Sequence, residues 1–130
     1  MDHPIKKLIQ AADQAITAED FDRLMDFYAD DAVLVVKAGL NATGKEQIRR
    51  AFIAIAEHFG RSIKVRQGDM IVLEGGDTAL VIMETILETS GAGGLPSSML
   101  RRATYVFRKS DEGEWLCTID NSYGTDLLTH

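Results

Sequence analysis

The order of helical and strand-like segments predicts an α+β fold, with three helices covering one face of an antiparallel sheet. Three observations carry this expectation. Apolar residues recur at spacings of three and four in the N-terminal half. After Gly60 the pattern changes to long runs rich in β-branched residues, and glycine pairs or acidic turns separate those runs. At 130 residues the chain is expected to form a single domain, residues 1–130, with one core that buries roughly two-thirds of the unfolded surface.

Asp2 can cap a first helix whose Ile5, Leu8, Ile9, Ala12 and Ile16 fall on one face. Thr17 and Asp20 form a weak capping pair that introduces a short second helix carrying Phe21, Leu24, Met25 and Tyr28, ended by Asp30 and Asp31. Residues 32–38 hold four consecutive apolar side chains, Val33 to Val36, and predict a short buried strand ending at Gly39. Thr43 with Glu46 forms a capping box for a third helix, with Ile48, Ala51, Phe52, Ile55 and Phe59 inside and Gly60 as the left-handed residue after its end. Residues 63–73 and 78–89 then form a hairpin through Gly75-Gly76, and residues 99–109 and 115–123 form another around 110–113. The connector 90–96 contains Gly91, Gly93 and Gly94 but has neither the following helix nor the lysine of a phosphate-binding loop.

The strand 78–89 is apolar at both parities, with Leu80, Ile82 and Ile86 on one and Val81, Met83 and Leu87 on the other. A sheet with one face in water alternates more cleanly, so a second copy is expected to cover the outer face as a homodimer. The net charge of -6 repels phosphate backbones and argues against a nucleic acid partner. No stretch approaches the roughly 18 apolar residues of a membrane span, and residues 1–7 lack an apolar run of signal-peptide length. A lone cysteine, Cys117, reads as a buried thiol in a reducing compartment, so a cytoplasmic location without membrane association is expected. His3, His58 and His130 have no metal-ligand spacing, and no nucleophile or cofactor motif appears, so neither metal nor cofactor is expected.

Several segments in this order resemble the nuclear transport factor 2-like superfamily, in its SnoaL-like branch. They are Ala18, Asp20, Phe21 and Leu24, then Tyr28-Ala29-Asp30-Asp31-Ala32, then Gly44, Ile48 and Phe52, and finally Trp115 with Asp120-Asn121-Ser122. The resemblance implies a cystatin-like, cone-shaped, bent antiparallel (mixed) sheet wrapped around three helices, with an apolar pocket inside. Ketosteroid isomerases, which are similar to this branch, need a general base and two donors for a developing enolate. At the matching places this chain has Val36, Ala12 and the acid-free run 100–108. A site similar to that of limonene epoxide hydrolase would use Arg102 and Asp120, but its second acid falls on Thr104.

The expected ligand is a small, largely apolar molecule, and the residues expected to line its pocket are Tyr28, Phe52, Arg102, Thr104 and Asn121. Strand parity groups Trp115, Cys117, Ile119, Asn121 and Tyr123 on one face and leaves Asp120 on the other, unless a β-bulge reverses it. Asn121 also occupies the place where related SnoaL-like domains carry a histidine; the bland reading is that it satisfies backbone groups where the strand leaves the sheet. Arg102 either binds ligand or pairs with Glu84 or Glu88, and Arg101 points the opposite way, toward the outer surface. Tyr28 either caps the core or presents its hydroxyl to the pocket, and Phe52 is either core or ligand platform. These residues suit a cofactor-free isomerase, cyclase or hydrolase, or else a non-catalytic binding or dimerisation module, as in the related association domains of some kinases.

Overall fold

The computed structural model describes residues 3–89 and 97–129. Helix α1 (Pro4–Ala18) is capped by His3, whose Nδ1 accepts from the Ile5 N–H at 3.1 Å. Asp2, the cap expected from sequence, lies outside the described residues. Ile5, Ile9, Ala12 and Ala15 are buried along one stripe of α1. A left-handed Glu19 ends α1, and Asp20 then caps the four-residue helix α2 (Phe21–Leu24) by accepting from the Arg23 N–H.

The second helix is shorter than its apolar spacing suggests. A single 3-10 turn (Met25–Phe27) follows α2, and Tyr28 opens strand β1 (Tyr28–Lys37). Asp30 and Asp31 are therefore exposed residues of an irregular strand rather than a helix stop. A four-residue strand, β2 (Leu40–Thr43), pairs back on β1. It is too short to show any periodicity. Helix α3 (Lys45–His58) is capped at Gly44 without a side-chain hydrogen bond, because Gln47 rather than the expected Glu46 reaches back, accepting from the Thr43 N–H at 2.9 Å. Gly60 and Arg61 both take left-handed conformations after its end.

Strands β3 (Lys64–Gly75), β4 (Thr78–Thr89), β5 (Ser97–Lys109) and β6 (Trp115–Asn121) complete one six-stranded sheet in the order β2-β1-β6-β5-β4-β3. The sheet is mixed, because β1 and β6 run parallel while every other pair is antiparallel. Gly76, at a φ of 60°, makes the β3–β4 turn. The connector expected over 90–96 lies outside the described residues. A terminal 3-10 segment (Gly124–Thr129) follows β6.

The core lies between the helices and one face of the sheet, where Val81, Met83, Ala103, Phe107 and Cys117 meet Ile5, Ile9, Leu24 and Ile48. On the opposite face Ile71, Leu73, Leu80, Ile82, Leu100 and Ile119 are exposed. The two parities of β4 thus divide cleanly, Val81 and Met83 inward and Leu80 and Ile82 outward. None of the helices among the described residues is long and apolar enough to cross a membrane.

Candidate functional site

Strand β6 changes face partway along. Cross-strand partners run from Phe107↔Cys117 to Val106↔Ile119, so Thr118 is an extra residue and the strand carries a bulge. Trp115 and Cys117 are buried, Ile119 is exposed, and Asp120 is buried again at 7% exposure. Simple alternation from Trp115 therefore misplaces the second half of the strand. Asp120 faces the helices and Asn121 faces out.

The inward Asp120 meets Tyr28, whose hydroxyl donates to Asp120 Oδ2 at 2.6 Å. Tyr28 is at the start of β1, the strand parallel to β6, and is 1% exposed. Burial raises the Asp120 carboxyl to about 6, although the Tyr28 hydrogen bond works in the opposite direction. A second carboxyl, Asp13, comes from α1 and accepts from Gln67 Nε2 of β3 at 2.8 Å. Burial raises Asp13 to about 6 as well; the Gln67 hydrogen bond lowers it, and the charge of Asp120 raises it further. Tyr105 of β5 completes the group. Burial first, then the charges of Asp120 and Asp13, push its hydroxyl well above the usual range and keep it protonated. Burial and the charge of Asp120 likewise push the Cys117 thiol up, which makes it inert.

An open cleft of about 670 Å³ leads to this cluster between α1 and β3. Gln10, Asp13, Gln14, Thr17 and Gln67 supply most of its lining, with Ala18 and Val65. Asp13 is the carboxyl that meets the cleft, and Asp120 is held behind it. Two polar atoms on the sheet, Gln67 Oε1 and Thr85 Oγ1, are buried without a hydrogen-bond partner among the described residues. Thr85 is near the Tyr105 hydroxyl and offsets its shift slightly, but the two lack hydrogen-bond geometry.

The five residues expected to line one pocket are not brought together. Tyr28 lies on the inner face, and Phe52 is half-buried on α3, its ring 6.4 Å from that of Tyr28. Arg102, Thr104 and Asn121 lie on the outer face, with Thr104 and Asn121 cross-strand partners and Arg102 two residues before Thr104. Asn121 ties down the end of the strand: its Nδ2 donates to Thr104 Oγ1 and the Gly124 carbonyl at 3.2 Å, and its Oδ1 accepts from the N–H groups of Tyr123 and Gly124 at 3.1 Å. Neither expected partner takes Arg102, since Glu88 pairs with Arg66 at 2.6 Å and Glu84 accepts from the Asp69 N–H. With Arg102 outside and Asp120 inside, the epoxide-hydrolase-like pair is not assembled. Arg101 is instead on the inner face, its guanidinium 4.2 Å from the centre of the Tyr123 ring.

No motif marks Asp13 or Tyr105, yet helical spacing does mark Asp13. It stands four residues after Ile9 and three before Ile16, on the apolar stripe itself. Tyr105 shares the parity of the buried Ala103 and Phe107. Among the described residues, no group of three or more histidine, cysteine or acidic side chains gathers as a metal site.

The SnoaL-like domain family model matches residues 5–117. The chain belongs to the SnoaL-like domain family. No curated protein sequence matches this SnoaL-like chain. Among solved structures, it is similar to a nuclear transport factor 2-like protein with a cystatin-like fold from Novosphingobium aromaticivorans, at 18% identity and a TM-score of 0.77 over 89% of this chain and 76% of the other. A ketosteroid isomerase-like protein from Erwinia carotovora atroseptica aligns at 21% identity and a TM-score of 0.72, covering 89% of each chain. A protein from Catenulispora acidiphila, solved in complex with S-DNPA, aligns at 16% identity and a TM-score of 0.75 over 89% of this chain and 87% of the other. These likenesses establish the fold of the SnoaL-like chain, an α+β architecture with a mixed, unclosed sheet.

Proposed function

We propose that the protein binds a small molecule in the space between sheet and helices and moves a proton on it without a cofactor, as an isomerase, cyclase or dehydratase would. The observation that carries this reading is the pair of carboxyls, Asp13 and Asp120, both raised to about 6 beside the neutral hydroxyls of Tyr28 and Tyr105. A carboxyl with proton affinity near the working pH is a more effective base than an ordinary one, yet remains largely ionised at neutrality. Asp13 meets the ligand at the cleft and takes a proton from a carbon next to a carbonyl. The electron pair left behind moves onto the carbonyl oxygen, and the Tyr105 hydroxyl is the nearby donor for that developing charge. Asp13 then returns the proton elsewhere on the ligand. Asp120, held by Tyr28, raises the proton affinity of Asp13 through its charge. The mixed polar lining favours a ligand with hydrogen-bonding groups over a purely apolar one.

Hydrogen–deuterium exchange at the α-carbon of a panel of small ketones, followed by NMR in deuterated buffer, tests the assignment. Wild type should catalyse exchange on at least one ketone, and Asp13→Asn should lose roughly a hundredfold or more in rate. Equal rates in the two proteins, or no exchange by wild type, would remove Asp13 as the base.

A second reading, a dimerisation or binding module without catalysis, draws on the outer sheet face. Ile71 at 60% exposure and Leu100 at 59% belong to a band of large apolar side chains running across β3 to β6. Both readings include a second copy of the chain covering this band.

A further inference from the structure

Cross-strand pairing places Gln67 opposite Thr85 and Thr85 opposite Arg101, so the three form one row across β3, β4 and β5 on the inner face. Two of the three have an unmet polar need among the described residues, and the third is a cation. Gln67 gives Nε2 to Asp13, which fixes its amide orientation and leaves Oε1 buried with no donor among the described residues. Thr85 is 8% exposed, and its Oγ1 has no partner among the described residues. Arg101 is half-buried; it rests on the Tyr123 ring and donates to the Met99 sulfur at 4.0 Å, a weak acceptor. Among the described residues no carboxylate is ion-paired with Arg101, although an arginine on a largely buried face ordinarily has one.

Buried polar atoms without partners cost stability, so their coincidence along one row points to a group that completes them. Strands lie about 4.8 Å apart, which puts Gln67 and Arg101 roughly 10 Å apart along the row. Its chemistry runs in one direction, from an acceptor at Gln67, through a hydroxyl at Thr85, to a cation at Arg101. Gln67 also borders the open cleft.

We infer that the row Gln67–Thr85–Arg101 is a binding subsite for a small hydroxylated carboxylic acid. The ligand's hydroxyl donates to Gln67 Oε1, and its carboxylate accepts from the Arg101 guanidinium and the Thr85 hydroxyl. The Tyr123 ring, anchored by its own hydroxyl on the Val36 carbonyl at 3.0 Å, lies against the guanidinium and steadies it for the anion. This names a substrate class for the proposed site and rests on the reading that the cleft admits ligand. It does not depend on proton transfer.

Calorimetric titration of the full chain with para-hydroxybenzoate and with its neutral amide, at a pH of about 8 where the acid is ionised, tests the subsite. Wild type should bind the acid about tenfold tighter than the amide. Arg101→Gln should bring that ratio to about one, Arg101→Lys should keep part of it, and the outer-face control Arg102→Gln should leave it unchanged. Thr85→Val should weaken binding of the acid by roughly fivefold. Absence of binding, equal affinity for acid and amide, or a preference that survives in Arg101→Gln would overturn the proposal. An Arg101-dependent preference in a protein that exchanges no α-hydrogen would leave the anion subsite standing and remove the acid–base reading. Exchange without any preference for the acid would do the reverse.

Discussion

The side chain with most at stake is Asp120. Its folded proton affinity, near 6, exceeds that of an unfolded aspartate at 3.8, so the folded state holds the extra proton between those values. Its contribution to stability is therefore fully present below about pH 4 and is lost as pH rises through about 6, a loss of up to about 3 kcal/mol. Asp120→Asn cannot ionise but can still accept from Tyr28. It should melt at a temperature equal to or above that of wild type at about pH 8 and show a flatter pH dependence, read from thermal unfolding across that range. A lower melting temperature at alkaline pH with an unchanged slope would contradict the burial argument. Tyr28→Phe acts in the other direction on the same group. It deletes the hydrogen bond that favours the carboxylate, so Asp120 should titrate above its wild-type value, as read by carbon NMR of the carboxyl.

At the level of elements, the terminal segment is fixed by Gly124. At a φ of 56°, a Cβ placed there would run into the Arg102 carbonyl of β5, while Asn121 accepts from the Gly124 N–H. Gly124→Ala should destabilise the fold by about 1–3 kcal/mol in urea unfolding, because backbone strain and a clash with main chain act together. Long elements were legible in the sequence because burial imposes a period on them: the stripe on α1, the face of α3 and the β3–β4 and β5–β6 hairpins all follow it. The boundary between α2 and β1 was not, since Phe21 to Tyr28 is apolar at spacings that suit a helix until the pairing of Tyr28 beside Cys117 draws it into the sheet. Strand β2 has too few residues to carry a pattern. The position of Asp120 was hidden for a different reason. Nothing in Cys117-Thr118-Ile119 marks a bulge, and one extra residue reverses every inference from parity beyond it. Asp13 was open to discovery, because an acid on an apolar helical stripe demands a reason.

For the molecule as a whole, the exposed band on the outer face makes the clearest demand. If a second copy covers it, the protein should have about twice the 14.3 kDa chain mass in solution, and Ile82→Glu at its centre should give a folded monomer by light scattering. A wild-type monomer at high concentration would exclude that arrangement. Two environments are served by one layer of backbone: on β4, Thr85 faces the polar row while Glu84 and Ile86 face outward, and on β5 Arg101 and Arg102 divide in the same way. The design is forgiving of letter changes, since each swap touches a single side, but intolerant of changes in length. A one-residue insertion or deletion within β4 or β5 would exchange interior and exterior over the remaining strand, so divergence in this sheet should proceed by substitution, with insertions and deletions confined to its turns and existing bulges.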